Sequence, residues 1–215
     1  DAFIDGKFVN LSKGQVYYAF ERSLHVEKLE TERDGKVVIP DDVELGCGMD
    51  FNVNPMSAMV FWRQGSHLHY FDEILLANSD TPFMASTLRD NYGRRLLKIY
   101  PDASGSQRKS AAEGGKSDFW YLREAGYDLL VKSVNPERKD RYNAVNGKFK
   151  PRTGKPMVSI SPRCKTLIKY LELFSHELMN KQEHMGHLLD AFSYPIAYLF
   201  PVVKEEISVH KLTGW

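Results

Sequence analysis

The chain has 215 residues, 42% of them hydrophobic, and a formal net charge of +1, which suits one large domain, or a domain plus an appendage, with a full core. No apolar run reaches the roughly 18 residues of a membrane-spanning helix, and the opening residues DAFIDGKFVN lack the basic-then-apolar pattern of a secretory signal. Cys47 and Cys164 stand far apart beside apolar residues, fitting free core thiols in a reducing compartment and too few for a zinc cage.

The absence of an initiating Met fits a domain cut from a longer protein, or a trimmed chain. Charge is unevenly spread. Residues 1–50 hold eleven acidic against six basic side chains, whereas residues 132–169 hold eleven Lys/Arg against Glu137 and Asp140. So basic a stretch in a near-neutral chain is a candidate phosphate-binding surface, with a solvated loop and helix face as the alternative.

Residues 14–21 (GQVYYAFE) and 36–39 (KVVI) read as strands, and residues 1–44 as a lead-in that packs on a main domain spanning 45–215. That domain opens with three strands, 45–53, 57–63 and 67–76, whose short connections predict an antiparallel meander. A helix follows over 80–92, with Asp80 as N-cap, Pro82 early and Gly93 as its stop. Residues 96–100 (LLKIY) predict a strand reached through that helix, hence parallel to its partner. Further helices are predicted at 116–125, 137–146, 162–179 and 186–200, with strands at 128–134 and 156–161. The Pro- and Lys-rich stretch 147–156 reads as a loop. The whole is an α/β arrangement, a mixed sheet with helices on its faces.

Three carboxylates stand out by context. Asp50 lies in an apolar strand, where an unpaired charge costs several kcal/mol in practice. Alternation puts it on the face of Gly48 and Asn52, so an ordinary surface aspartate is the other reading. Asp102 follows the end of LLKIY and precedes the small residues Ala103-Ser104-Gly105. Strand carboxyl ends are where such sheets bind ligands, although a turn aspartate after Pro101 is commonplace. Asp190 sits in HLLDAFSYPIAYLF, a helix apolar nearly all round, on one seam with His187 and Tyr194. A metal or a buried hydrogen-bond network would explain that seam. Pro195 is expected to kink or end this helix near Phe192. Hard oxygen ligands from three elements suit Mg²⁺, and two such ions can activate water and stabilise a leaving oxygen on a phosphodiester.

GMDFNVNP (48–55), YPDASG (100–105) and HLLDAFSYP (187–195) resemble the three acidic motifs of the nuclease domains of tailed-phage terminase large subunits. The lead-in FVNLSKGQVYYAFERSLHV resembles the segment that follows the ATPase domain in that family. The resemblance implies a ribonuclease H-like fold and metal-binding catalytic carboxylates at Asp50, Asp102 and Asp190; we read these as a two-metal site in which Asp50 would bridge two Mg²⁺ or Mn²⁺ ions and Asp102 and Asp190 would each complete one. It implies cleavage of concatemeric double-stranded viral DNA during packaging, with little sequence preference. Its implied partners are an ATPase domain absent from this chain, the portal and the small terminase subunit. The implied location is the host cytoplasm, transiently at the procapsid portal, with no membrane involved.

Glu73 is a candidate extra acid and His187 a candidate partner of a metal ligand. Lys116, Lys132, Arg138, Lys139, Arg141, Lys148, Lys150 and Arg152 are expected to line a DNA path through phosphate contacts. His67 and His69 read as exposed strand residues. SAAEGGKS (110–117) fails as a phosphate-binding loop because Ser110 stands where its first glycine belongs. Two other functions stay open: another ribonuclease H-like nuclease, such as a junction resolvase or transposase core, and a non-catalytic DNA-clamping or portal-docking module.

Overall fold

A computed structural model describes residues 14–33, 36–108, 115–177, 181 and 183–202. In chain order the elements are α1 (Arg22–His25), β1 (Thr31–Arg33), β2 (Lys36–Val38), β3 (Glu44–Asp50), β4 (Met56–Gln64), β5 (His67–Leu76), α2 (Thr81–Tyr92), β6 (Leu96–Pro101), α3 (Asp118–Glu124), β7 (Asp128–Leu129), α4 (Arg138–Phe149), β8 (Val158–Ile160), α5 (Lys165–Leu173) and α6 (Glu183–Leu199). A 3₁₀ turn, Ala103–Ser106, follows β6. β1 and β2 form a small antiparallel pair. The main sheet has six strands in the order β7-β6-β3-β4-β5-β8. β3, β4 and β5 form the expected antiparallel meander, and β6, β7 and β8 run parallel to their neighbours.

Alternation along the strands divides the core in two. Cys47, Met49, Val60 and Phe71 pack against Met84, Leu88 and Leu122 of α2 and α3. Met59, Phe61, Tyr70 and Tyr100 pack with residues of α4, α5 and α6. Both cysteines are buried and free. α2 begins as its sequence demands, with Asp80 accepting from the Phe83 amide at 2.9 Å, and it stops at Gly93, whose φ of 58° favours glycine.

Several expectations are corrected. Residues 14–21 are not a strand. They form turns with one strand-like bridge, Gln15 to Ser175, further tied by hydrogen bonds to Asn146 and to the Leu171 and Glu172 carbonyls, and their apolar side chains Val16, Tyr17 and Phe20 are core plugs. The strand at 128–134 ends after Leu129. It is an edge strand with no neighbour beyond it among the described residues, and Leu130 and Val134 turn toward solvent. The helix at 162–179 spans only Lys165–Leu173 because a turn through Ser161-Pro162 delays its start. Of the segment 110–117, residues 110–114 lie outside the described residues, as do residues 1–13 of the lead-in.

Pro195 does not end its helix. α6 runs through it to Leu199. A proline has no N–H for the carbonyl four residues back, here Ala191. That carbonyl faces Gly48 of β3: a Cβ built on Gly48 would lie 1.8 Å from the Ala191 oxygen and 2.8 Å from the Pro195 ring. Strand and helix therefore meet backbone to backbone, a contact open only to glycine. Gly48→Ala is expected to force α6 away from β3 and to destabilise by about 3 kcal/mol, the upper range for overpacking. Thermal denaturation checks this, and an unchanged melting temperature would show that the contact has slack.

His69 is not exposed but fully buried, because β5 lies inside the sheet under the lead-in. Its Nε2 lies 2.9 Å from Glu30 Oε2 and its Nδ1 2.8 Å from Ser159 Oγ, while the Ser161 hydroxyl donates to Glu30. Burial lowers the His69 pKa against the pull of Glu30. Burial opposes the Glu30 charge, yet hydrogen bonds from Ser161 and His69 outweigh it and hold that pKa below its usual value. Both shifts have one sign for stability. The unfolded chain binds more protons than the folded one, on His69 as pH falls below about 6.5 and on Glu30 below about 4.3. The melting temperature is therefore expected to fall as pH drops from 7 to 4. A flat profile over that range would contradict the coupling.

Candidate active site

β3 and β6 are parallel, with Met49 opposite Pro101, and the Asp102 amide donates to the Met49 carbonyl at 3.0 Å. Their last residues thus emerge together at the carboxyl end of the sheet, delivering Asp50 and Asp102 side by side. α6 crosses the same end, held close by the Gly48 contact, and adds Asp190 beside Ala191.

Asp50 is 6% exposed. Its Oδ2 is buried, and among the described residues its partner is His187, whose Nδ1 stands 3.0 Å away. The same His187 ring meets the Asn52 side-chain amide at 2.9 Å. Burial pushes the Asp50 carboxyl up, His187 opposes that rise, and both Asp190 and Asp102 add to it. Two neighbouring carboxylates acting on a third is the electrostatic mark of one cluster.

The other two acids are held by partners. Asp102 Oδ1 accepts from the Ser104 amide at 2.7 Å and from Asn135 Nδ2 at 2.6 Å. Asn135 Oδ1 in turn accepts from the Ala103 amide at 2.8 Å and the Tyr198 hydroxyl at 3.2 Å. The chain after β7 thereby fixes the turn that carries Asp102. Asp190 Oδ1 accepts from Arg141 Nη1 at 2.7 Å, and the same nitrogen reaches Ser193 Oγ at 3.0 Å. The Arg141 guanidinium lies 4.6 Å from the centre of the Tyr194 ring. Burial works against its charge, and Asp190 outweighs that and keeps it protonated.

The structure therefore brings Asp50, Asp102, Asp190 and His187 together. Glu73 does not join them. Its carboxylate accepts from the Thr166 and Leu167 amides, both at 2.8 Å, and caps the first turn of α5. Arg141 is not a surface residue on a DNA path: it is 3% exposed and committed to Asp190. Lys132, Arg138, Lys139, Lys150 and Arg152 are exposed. Lys116 lies 4.1 Å over the Trp120 ring and Lys148 4.0 Å over the Phe200 ring. Sequence reasoning missed Asn135 and Asn52. An asparagine in a loop carries no signal of its own, though Asn52 shares the strand face already assigned to Asp50.

Among the described residues, no three His, Cys, Asp or Glu side chains converge closely enough to make a ready cage for a metal. The donor chemistry nonetheless suits a hard divalent cation. The cluster offers carboxylate oxygens from three elements, and the buried Asp50 Oδ2 meets only His187 among the described residues.

No family model matches the chain, and no curated protein matches it in sequence. Solved structures do resemble it. The large terminase of a thermophilic bacteriophage, in complex with ATP-gamma-S, superposes with a TM-score of 0.63 at 15% identity, covering 86% of this chain and 45% of that one. The P22 large terminase nuclease domain gives 0.60 at 10% identity, covering 85% and 90%. The large terminase nuclease of thermophilic phage G20c, with bound magnesium, gives 0.55 at 12% identity, covering 87% and 98%. This chain thus spans about half of the ATP-gamma-S-bound terminase and nearly all of the two nuclease domains. Its fold is theirs, a ribonuclease H-like mixed sheet flanked by helices.

Proposed function

We propose that this chain is a divalent-metal-dependent endonuclease that cuts double-stranded DNA during phage genome packaging. The observation that carries the reading is the meeting of Asp50, Asp102 and Asp190 at one end of a sheet whose fold matches large-terminase nuclease domains. One neighbour of this fold holds magnesium. Asp50, Asp102 and Asp190 are the residues that would hold one or two Mg²⁺ or Mn²⁺ ions. Bound there, such ions supply Lewis acidity toward a phosphoryl oxygen and lower the pKa of a water.

The chain's own groups have distinct tasks in this reading. Asn135 and the Ser104 amide fix the orientation of Asp102. Arg141 fixes Asp190 and offsets part of the negative charge that three carboxylates bring together. His187, beside Asp50, can take or give a proton at Nδ1. The exposed Lys132, Arg138, Lys139, Lys150 and Arg152 would hold backbone phosphates, and contacts of that kind do not read sequence.

Residues 1–44 would be the lead-in that joins this nuclease domain, residues 45–215, to a preceding ATPase domain. The portal and the small terminase subunit would be further partners in the host cytoplasm. Plasmid cleavage with Mg²⁺ or Mn²⁺ tests the reading. Cleavage of ordinary duplex that EDTA abolishes is expected. A strong preference for four-way junctions would favour a resolvase instead, and metal binding that does not depend on the three carboxylates would favour a clamp.

A further inference from the structure

The turn that carries Asp102 has a second side. Beyond Ala103, the turn forms one wall of a cleft of about 280 Å³, whose other walls are the start and outer face of α3 and the segment that follows β7. Among the described residues its polar lining is Ser106, Ser117, Arg123, Lys132 and Ser133.

The hydrogen-bond roles of two serines are already set. Ser106 spends its proton on the Ala103 carbonyl at 2.9 Å. Ser117 accepts from the Trp120 amide at 3.2 Å, which leaves its own proton to donate. Arg123 and Lys132 add permanent donors and are exposed. A concavity whose described lining offers two cations and free hydroxyl donors favours an oxyanion. The same turn presents a carboxylate cluster on one side and this cleft on the other.

We infer that the cleft seats a backbone phosphate of the DNA strand, next to the one presented to Asp50, Asp102 and Asp190. This rests on the nuclease reading for its ligand. Arg123 and Lys132 make the contact, so the strand is held in register by its backbone alone. The cleft sets where along a strand the acids act without selecting a base sequence.

Binding measured in EDTA, where metal-dependent cutting cannot occur, isolates this step. The probe is a fluorescent duplex of about two helical turns, titrated with the full chain by anisotropy at several salt concentrations. In the doubly substituted Arg123→Gln/Lys132→Gln chain, the slope of log affinity against log salt is expected to shrink by about one to two, with weaker binding to every sequence tried. Arg22→Gln/Lys28→Gln, which removes two exposed cations from the N-terminal segment, should leave the slope nearly as it was. An unchanged slope in the Arg123/Lys132 variant, an equal fall in the Arg22/Lys28 variant, or no binding by the native chain overturns the assignment. Cleavage in Mg²⁺ is scored separately. Cutting with an unaffected slope removes only the cleft, whereas a reduced slope without any cutting removes the nuclease reading and leaves a DNA-binding cleft.

Discussion

Asp50→Asn is expected to leave the chain folded and to lower metal-dependent plasmid cleavage by more than about 100-fold. The magnitude follows from what lesser changes do. Removing a residue that only orients a metal ligand commonly loses roughly 10- to 100-fold, and a direct ligand should lose more. The fold should survive because the change keeps the side chain's shape while deleting a charge that burial and two neighbouring acids already disfavour. Cleavage rates on supercoiled plasmid in Mg²⁺ or Mn²⁺, paired with a thermal melt without metal, check both halves. Persistent cleavage by the folded variant would sink the assignment of Asp50 and the metal chemistry built on it.

Arg141→Met is expected to destabilise the chain by about 3–5 kcal/mol, because it strands a carboxylate whose side chain is only 17% exposed. For a domain of this size that corresponds to a fall in melting temperature of roughly 6–20 °C. Methionine keeps much of the buried volume, so the loss reports charge more than packing. Asp190→Asn in the same chain should restore a large part of the stability, since the stranded charge disappears with it. Asp190→Asn alone should also destabilise, because Arg141 cannot release its proton. The measurement is a double-mutant cycle by chemical denaturation. Two losses that simply add would mean that the 2.7 Å contact contributes nothing to stability.

Much of this architecture was legible because the signals were local. The meander follows from short turns, and α2 from a capping Asp80 and a stopping Gly93. Asp50 and Asp190 stood out because charge in an apolar strand or helix needs an explanation. The failures share a cause as well. Val16, Tyr17 and Phe20 look like strand residues, but they are apolar because they fill a gap in the core. His69 and Arg141 look like surface residues because their types usually are. Only the fold brings Glu30 to one and Asp190 to the other. Glu73 alternates onto a plausible face and is then claimed by the start of α5, far along the chain at Thr166 and Leu167. Partners distant in sequence leave no periodicity to read.

The backbone contact between Gly48 and the Ala191 carbonyl also bears on how such a chain can change over generations. The side chain missing at position 48 and the N–H missing at position 195 meet at one carbonyl group. Neither position is free to drift alone. A side chain gained at 48 has no room while α6 keeps its course, and a new course for α6 would carry Asp190 away from Asp50. The two sites should therefore be inherited as a pair, with ancestry constrained at a glycine and a proline that bear no chemistry themselves.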